Sequence, residues 1–233
     1  MLHGLWVNLI NIIYPAQCTI CHKAVSPEII LCQDCTKAIE LNVAPFCAHC
    51  GRSLSNYVCQ NCKKLIFHFD RVWSACRYKN IAATLIHLFK YKGKHKIKNT
   101  LIKVITNFIK ESHIPMHTID IITPIPLHHS KLRERGFNQS CLLSEDLAGA
   151  FNITHSAKNL IRIKNQNTQT KLNVNSRFKN IEGAFKIKDS ESFKNKNVLL
   201  IDDVLTTGAT TSEASRILKK AGAKKVFVLT FAN

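Results

Sequence analysis

Four Cys-x-x-Cys pairs crowd one short stretch near the start of the chain: Cys18 and Cys21, Cys32 and Cys35, Cys47 and Cys50, Cys59 and Cys62. A two-residue gap turns both sulfurs toward one ion, and two such knuckles about a dozen residues apart complete a tetrahedral tetrathiolate. Four knuckles therefore predict two zinc ions without an open coordination position, which makes them structural. A stretch this short builds no core of its own, so the metals are expected to hold it. Disulfides do not suit a reducing compartment, and a thioredoxin-like redox centre needs a single knuckle. Cys18-Thr19-Ile20-Cys21-His22 also fits a c-type haem attachment, which leaves three knuckles unexplained. Spacing does not decide between sequential and cross-braced pairing; the sequential order is the working expectation. Cys76 and Cys141 stand outside the array and are expected as small buried residues rather than nucleophiles.

The 233 residues leave room for one α/β domain behind this module, dividing the chain into a cysteine-rich part, 1–66, and a domain over 67–233. Lys and Arg outnumber Asp and Glu by 33 to 15, a formal charge of +18. Two tetrathiolate zinc sites bring this to about +14. Such an excess draws polyanions and gives salt-dependent binding to phosphate backbones. A solvated face in a Lys- and Asn-rich chain is the competing account. An acid-free run holds Arg77, Lys79, Lys90, Lys92, Lys94, Lys96 and Lys98, of which the five lysines from Lys90 to Lys98 are the DNA-contact candidates; a second basic run covers 158–188. No apolar stretch is long enough to cross a bilayer and no signal peptide is legible, so a cytoplasmic protein is expected. Leu5, Trp6, Leu9, Ile10 and Ile13 have helical spacing that would pack on the domain or seat the chain peripherally at the inner membrane.

Beyond residue 67, apolar runs alternate with helical periods. Strands are expected at 72–78, 119–123, 198–201 and 226–231, and helices at 81–91, 97–110, 138–151 and from the turn near 208 to about 221. This is an α/β pattern with a mostly parallel sheet. The strand at 198–201 runs into Asp202 and Asp203, then Val204, Leu205, Thr206, Thr207, Gly208, Ala209 and Thr210. Thr206 to Thr210 fall at a helix N-terminus, where free amides and hydroxyls hold a phosphate dianion, and Gly208 lets the backbone come close. The adjacent carboxylates suit two vicinal ribose hydroxyls. Ordinary helix capping accounts for one Asp and one Thr, not for the whole set.

This segment resembles the phosphoribosyl pyrophosphate loop of type I phosphoribosyltransferases. Pro124-Ile125-Pro126-Leu127, then Arg133-Glu134-Arg135-Gly136-Phe137-Asn138-Gln139, Arg162, Gln169, Leu172, Arg177, Asn180 and Gly183-Ala184-Phe185 follow the knuckles in order. Together these blocks are similar to the ComF family of competence-associated phosphoribosyltransferase-like proteins, from Cys18 onward. The resemblance implies that Asp202 and Asp203 bind the ribose and Thr206, Thr207, Gly208, Ala209 and Thr210 the 5-phosphate. It places Arg133, Arg135, Gln169 and Arg177 at the pyrophosphate end or its closing loop over 164–176, with 127–131 as the pyrophosphate loop and Mg²⁺ arriving with the ligand. Gln166 stands where the family pattern has Thr, with Thr168 and Thr170 nearby. The resemblance also implies handling of incoming single-stranded DNA beside a competence helicase or recombination mediator. An active phosphoribosyltransferase with a nitrogen acceptor stays open as the alternative. The chain stops at Asn233 just after the last strand, so the zinc module is the segment expected to cover the site. His128 and His129 read as polar surface, and Tyr78, Phe89, Tyr91 and Phe137 as core for the most part, with base stacking as the other role.

Overall fold

A computed structural model describes residues 16–55, 57–62, 65–92, 95–165 and 174–233. The apolar segment with Trp6, Lys94, Gln169 and most of the closing loop lie outside these, as does the side chain of Lys92.

The cysteines fold as two ribbons of one design. In the first, Cys18 N–H donates to Lys23 O at 2.8 Å and His22 N–H to Cys18 O at 2.9 Å; in the second, Cys47 N–H donates to Arg52 O and Gly51 N–H to Cys47 O, both at 2.9 Å. Bridges Gln17–Ala24 and Phe46–Ser53 close the two turns at equivalent positions. The residue after each first knuckle is left-handed, His22 at φ 60° and Gly51 at φ 71°. A short helix, Gln33–Lys37 (α1), starts at Cys32, whose sulfur accepts the Cys35 amide.

Among the described residues the main sheet has five strands, all parallel, in the order β1-β7-β6-β2-β3. They are Arg71–Cys76 (β1), Ile121–Pro124 (β2), Thr154–His155 (β3), Asn197–Val204 (β6) and Lys225–Ala232 (β7). Leu160–Arg162 (β4) and Phe185–Ile187 (β5) form a separate antiparallel pair. Strands buried on both faces read as continuous apolar runs, which is why β6 and β7 stand out in the sequence. Alternate residues serve two cores. Leu199, Ile201, Leu229 and Phe231 meet the helices Asn80–Lys92 (α2), His95–Glu111 (α3) and Gln139–Phe151 (α5). Val198, Leu200, Val226 and Val228 meet Ala209–Lys220 (α7), Val174–Ile181 (α6) and the β4–β5 pair.

The ribbons dock on this frame. Cys18, Ile30, Leu31, Cys35 and Ile39 of the first share a core with α3. The second lies along the free edge of β1: Val72 N–H donates to Ala48 O at 2.9 Å, and Asn42 N–H to Ala75 O at 3.0 Å. A Cβ on Gly51 would come within 2.8 Å of Ser74 N, so only glycine allows this approach.

The expected elements are present within a few residues; β3, the β4–β5 pair and α6 are additional, and several readings differ. Both carboxylates lie within β6 rather than beyond it. The loop expected at 127–131 is shorter, because His129–Arg135 forms a helix (α4) capped by His128 and ended by left-handed Gly136. His128 is accordingly buried, not surface, with Nδ1 2.8 Å from Ser130 Oγ. Cys76 is buried and donates to Phe231 O at 3.2 Å, burial pushing its thiol up to about 12, whereas Cys141 is partly exposed.

Candidate functional site

The site is built where β6 ends, between two helices that start nearby. Asp202 Oδ1 accepts from Ser140 Oγ at 3.0 Å and from the Asp203 amide at 2.9 Å. Ser140 is placed by α5, whose N-cap Asn138 accepts the Ser140 amide and donates to Ile125 O. Asp203 Oδ2 lies 2.7 Å from Lys90 Nζ on α2. The contact is a largely buried ion pair in which the ammonium supplies the counter-charge of that oxygen. Burial, then the charge of Asp203, push the Asp202 carboxyl up to about 7 against the Lys90 charge and the Ser140 hydroxyl. Two adjacent carboxylates that are partly desolvated resist holding two charges.

After β6 the chain turns into α7 through Gly208, left-handed at φ 77°. The first turn of a helix leaves its amides without intrahelical partners, and among the described residues the Ala209 amide reaches only Thr207 Oγ1, at 3.5 Å. A Cβ on Gly208 would meet the Phe67 ring at 2.7 Å. Phe67 also packs on His49 of the second ribbon at 5.3 Å and edge-on against Phe178 of α6 at 5.9 Å. The turn at 206–210 is therefore braced by the ribbon side of the molecule.

Cations gather on the β2 side. Lys131 is held below its ordinary range by burial, then by Arg135 and Arg162, with Lys90 adding to them. Burial lowers Arg162 too, and Asp202 opposes that shift. Arg135 donates to Gln139 Oε1 at 3.2 Å and sits 6.0 Å above the Tyr91 ring; Gln139 Nε2 is buried without a hydrogen-bond partner among the described residues. Arg133 is exposed at the end of α4, and Arg177 lies on α6 beside Phe178. His128 is lowered by burial and then by His129, Arg162 and Arg133, which keeps it neutral as a cap.

The lysine run expected to meet DNA is mostly engaged within the chain. Lys90 is drawn into the acidic site, Lys98 pairs with Asp146 at 2.8 Å and Lys96 donates to Pro27 O. Lys131, Ser140 and the pairing of Lys90 were not singled out from the sequence; they come from segments far apart in the chain, and only the fold brings them together.

The metal centres are sequential. Cys18, Cys21, Cys32 and Cys35 form one group and Cys47, Cys50, Cys59 and Cys62 another, all sulfurs of a group within 4.8 Å of each other. Cys21 and Cys32 sulfurs lie 3.5 Å apart, and Cys50 and Cys59 sulfurs 3.7 Å. A tetrahedral ion with Zn–S bonds near 2.3 Å requires about 3.8 Å, so both groups fit zinc.

Family models match at both ends: a double zinc ribbon domain at residues 9–64 and a phosphoribosyl transferase domain at 140–233. Fold and site together define a protein of the phosphoribosyltransferase fold with an N-terminal double zinc ribbon. Competence protein F of Haemophilus influenzae is 32% identical over 85% of this chain and 88% of its own, and competence protein ComFC of Bacillus subtilis 30% over 84% and 80%. DNA utilization protein YhgH of Salmonella typhi is 25% identical over 92% of this chain and 95% of its own. The chain belongs to the ComF family. Among solved structures, adenine phosphoribosyltransferase from Saccharomyces cerevisiae matches 60% of this chain and 71% of its own at 17% identity, with a TM-score of 0.38. Among the described residues no helix is long and apolar enough to cross a membrane.

Proposed function

We propose that the chain is a natural-transformation protein of the cytoplasm that handles incoming single-stranded DNA and binds phosphoribosyl pyrophosphate with Mg²⁺ at the end of β6. The observation that carries the ligand half is the juxtaposition of Asp202 and the buried Asp203, paired with Lys90, with the glycine-capped N-terminus of α7. In this reading Asp202 and Asp203 take the ribose hydroxyls and Thr206, Thr207, Gly208, Ala209 and Thr210 the 5-phosphate. Lys131, Arg133, Arg135 and Arg162 offset the pyrophosphate, Arg through forked hydrogen bonds, and Gln139 Nε2 offers a further donor. Arg177 and Gln169 belong to the closing side. The two zincs are structural. The DNA half rests on the names of the relatives, competence protein F and DNA utilization protein, and on the +18 charge. A helicase or recombination mediator is the expected protein partner.

A second reading is transfer of ribose 5-phosphate to a nitrogen acceptor with release of pyrophosphate. What favours it is Asp202 at about 7, a carboxyl able to take up the acceptor's proton near neutrality.

Fluorescence anisotropy of a labelled single strand, with and without phosphoribosyl pyrophosphate and Mg²⁺, tests the proposal. Binding whose strength changes with the ligand supports it. A chain that binds neither the strand nor the ligand contradicts it. Pyrophosphate release in the presence of candidate amines separates the second reading.

A further inference from the structure

A second cationic wall faces the site from the opposite side of β6. The sheet order puts the segment after β2, with Lys131 to Arg135, on one flank of β6, and the segment after β1, with Arg77, Tyr78 and Lys79, on the other. On that flank a cavity of about 400 Å³ is lined by Arg52, Arg77, Tyr78, Lys79, Val204, Leu205, Thr206 and Asn233. Its size falls within the range of about 300–1,000 Å³ typical of small-molecule pockets. Three of these side chains are cationic and none is acidic. Among the described residues Arg52 and Lys79 have no side-chain carboxylate within ion-pair distance, and Arg77 has only Glu40, at 3.9 Å. Arg52 and Lys79 thus give this concave wall a positive potential that draws anions.

The wall is rigidly made. Arg52 sits where the second ribbon closes its first knuckle, its carbonyl accepting the Cys47 amide at 2.9 Å. Asn233 N–H donates to Cys76 O at 3.1 Å, its carbonyl accepts the Tyr78 amide at 2.7 Å, and its side chain donates to Cys50 O at 2.5 Å. Ribbon, sheet edge and phosphate loop thus meet at this one place. Tyr78 is 43% exposed there, an aromatic ring beside three cations. A cavity with cations for a phosphate and a free aromatic face for a base fits a nucleotide.

We infer that this cavity binds the phosphate of a nucleotide, with Arg52 and Lys79 as its principal contacts and Tyr78 as the face on which the base stacks. The inference rests on the nucleic-acid half of the proposed function only for preferring a nucleotide over other anions. The nucleotide is either free or part of a single strand, and both offer the same phosphate and base.

The test titrates the full zinc-loaded chain with deoxyadenosine monophosphate and, separately, with a labelled oligodeoxythymidylate. The wild type is compared with Arg52→Ala/Lys79→Ala and with Lys186→Ala/Lys188→Ala, which removes two exposed charges elsewhere. Zinc content and the thermal midpoint check that the variants are folded. The Arg52/Lys79 variant is expected to lose at least about tenfold in affinity, the factor for losing one charge-assisted hydrogen bond, while the Lys186/Lys188 variant loses less. Tyr78→Ala is expected to weaken binding and Tyr78→Phe to retain it. Loss with the mononucleotide assigns a free-nucleotide site, and loss with the oligonucleotide alone assigns a strand site. Equal losses in both double variants, or no binding of either probe by the wild type, overturn the inference. Titration of the wild type with phosphoribosyl pyrophosphate is run in parallel, so that failure at the acidic pair is seen separately from failure at this cavity.

Discussion

The two ribbons share their hydrogen bonds, their bridges and their left-handed turn, yet they serve different parts of the molecule. The first turns its apolar residues, Ile30, Leu31 and Ile39, into the core around α3. The second spends its backbone on the edge of β1 and presents Arg52 and His49 toward the β6 end of the sheet. One is chiefly a hydrophobic cover; the other also packs Phe46 edge-on against Phe108 of α3 at 5.5 Å, and lies beside the β6 end. A repeated metal fold can thus be kept constant while the residues between its knuckles are specialised. It also means that the module is not a free appendage, because an exposed parallel edge strand is a pairing hazard that the second ribbon covers.

Removing metal should break this comparison most strongly. A structural zinc is worth about 10–16 kcal/mol to the fold it holds at neutral pH. Cys18→Ser is expected to leave one zinc per chain and expose α3 to hydrogen exchange. Cys47→Ser is expected to leave one zinc and expose β1 instead. Metal analysis with amide exchange checks both, and identical exchange patterns would remove the distinction.

The acidic pair gives the next effect. The ribbon thiolates are expected to be offset by metal, while the Asp202 carboxyl, held at about 7, costs stability when ionised. Its folded pKa lies above the ordinary 3.8, so the folded chain holds the proton more tightly than the unfolded one. This contribution therefore falls as pH rises from about 4 to about 7, and the penalty is complete above that. Asp202→Asn should raise stability by on the order of a few kcal/mol at pH 8 and hardly at all near pH 4. Denaturant unfolding across pH reads this directly.

Smaller again is the contrast at the shared turn. Gly51→Ala must force a Cβ against Ser74 N in a left-handed conformation, at a cost of about 1–3 kcal/mol. His22→Ala, at the equivalent position but already carrying a side chain, should cost less than about 1 kcal/mol. Equal midpoints for the two variants would show that the second ribbon is not pressed on the sheet. Smallest of all, Lys98→Ala removes one partly exposed pair with Asp146 and should change stability by about 1 kcal/mol or less. A large loss of single-strand affinity in that variant would return the DNA contact to the lysine run.

What the sequence disclosed follows from how local each signal is. The knuckles were legible because two residues of spacing suffice to aim two sulfurs, and β6 with its Thr-rich turn because a buried strand, two carboxylates and a glycine-capped helix are contiguous. Helix α4 was not: its polar sequence has no apolar stripe, and its cap is His128 rather than Ser, Thr, Asp or Asn. The β4–β5 pair was hidden by its length, since three residues carry no alternation. Lys90 read as a member of a basic run because charge in sequence says nothing of which acid the fold will bring to it. Arg52 was silent for the same reason; its meaning comes from the docking of the ribbon.

Calorimetric titration of the zinc-loaded chain with phosphoribosyl pyrophosphate and Mg²⁺, beside Asp202→Ala/Asp203→Ala, tests the central claim most directly. The account predicts saturable binding at one site per chain that the double variant loses while keeping its zinc. No heat of binding with the wild type, or an unchanged isotherm in the variant, would contradict it.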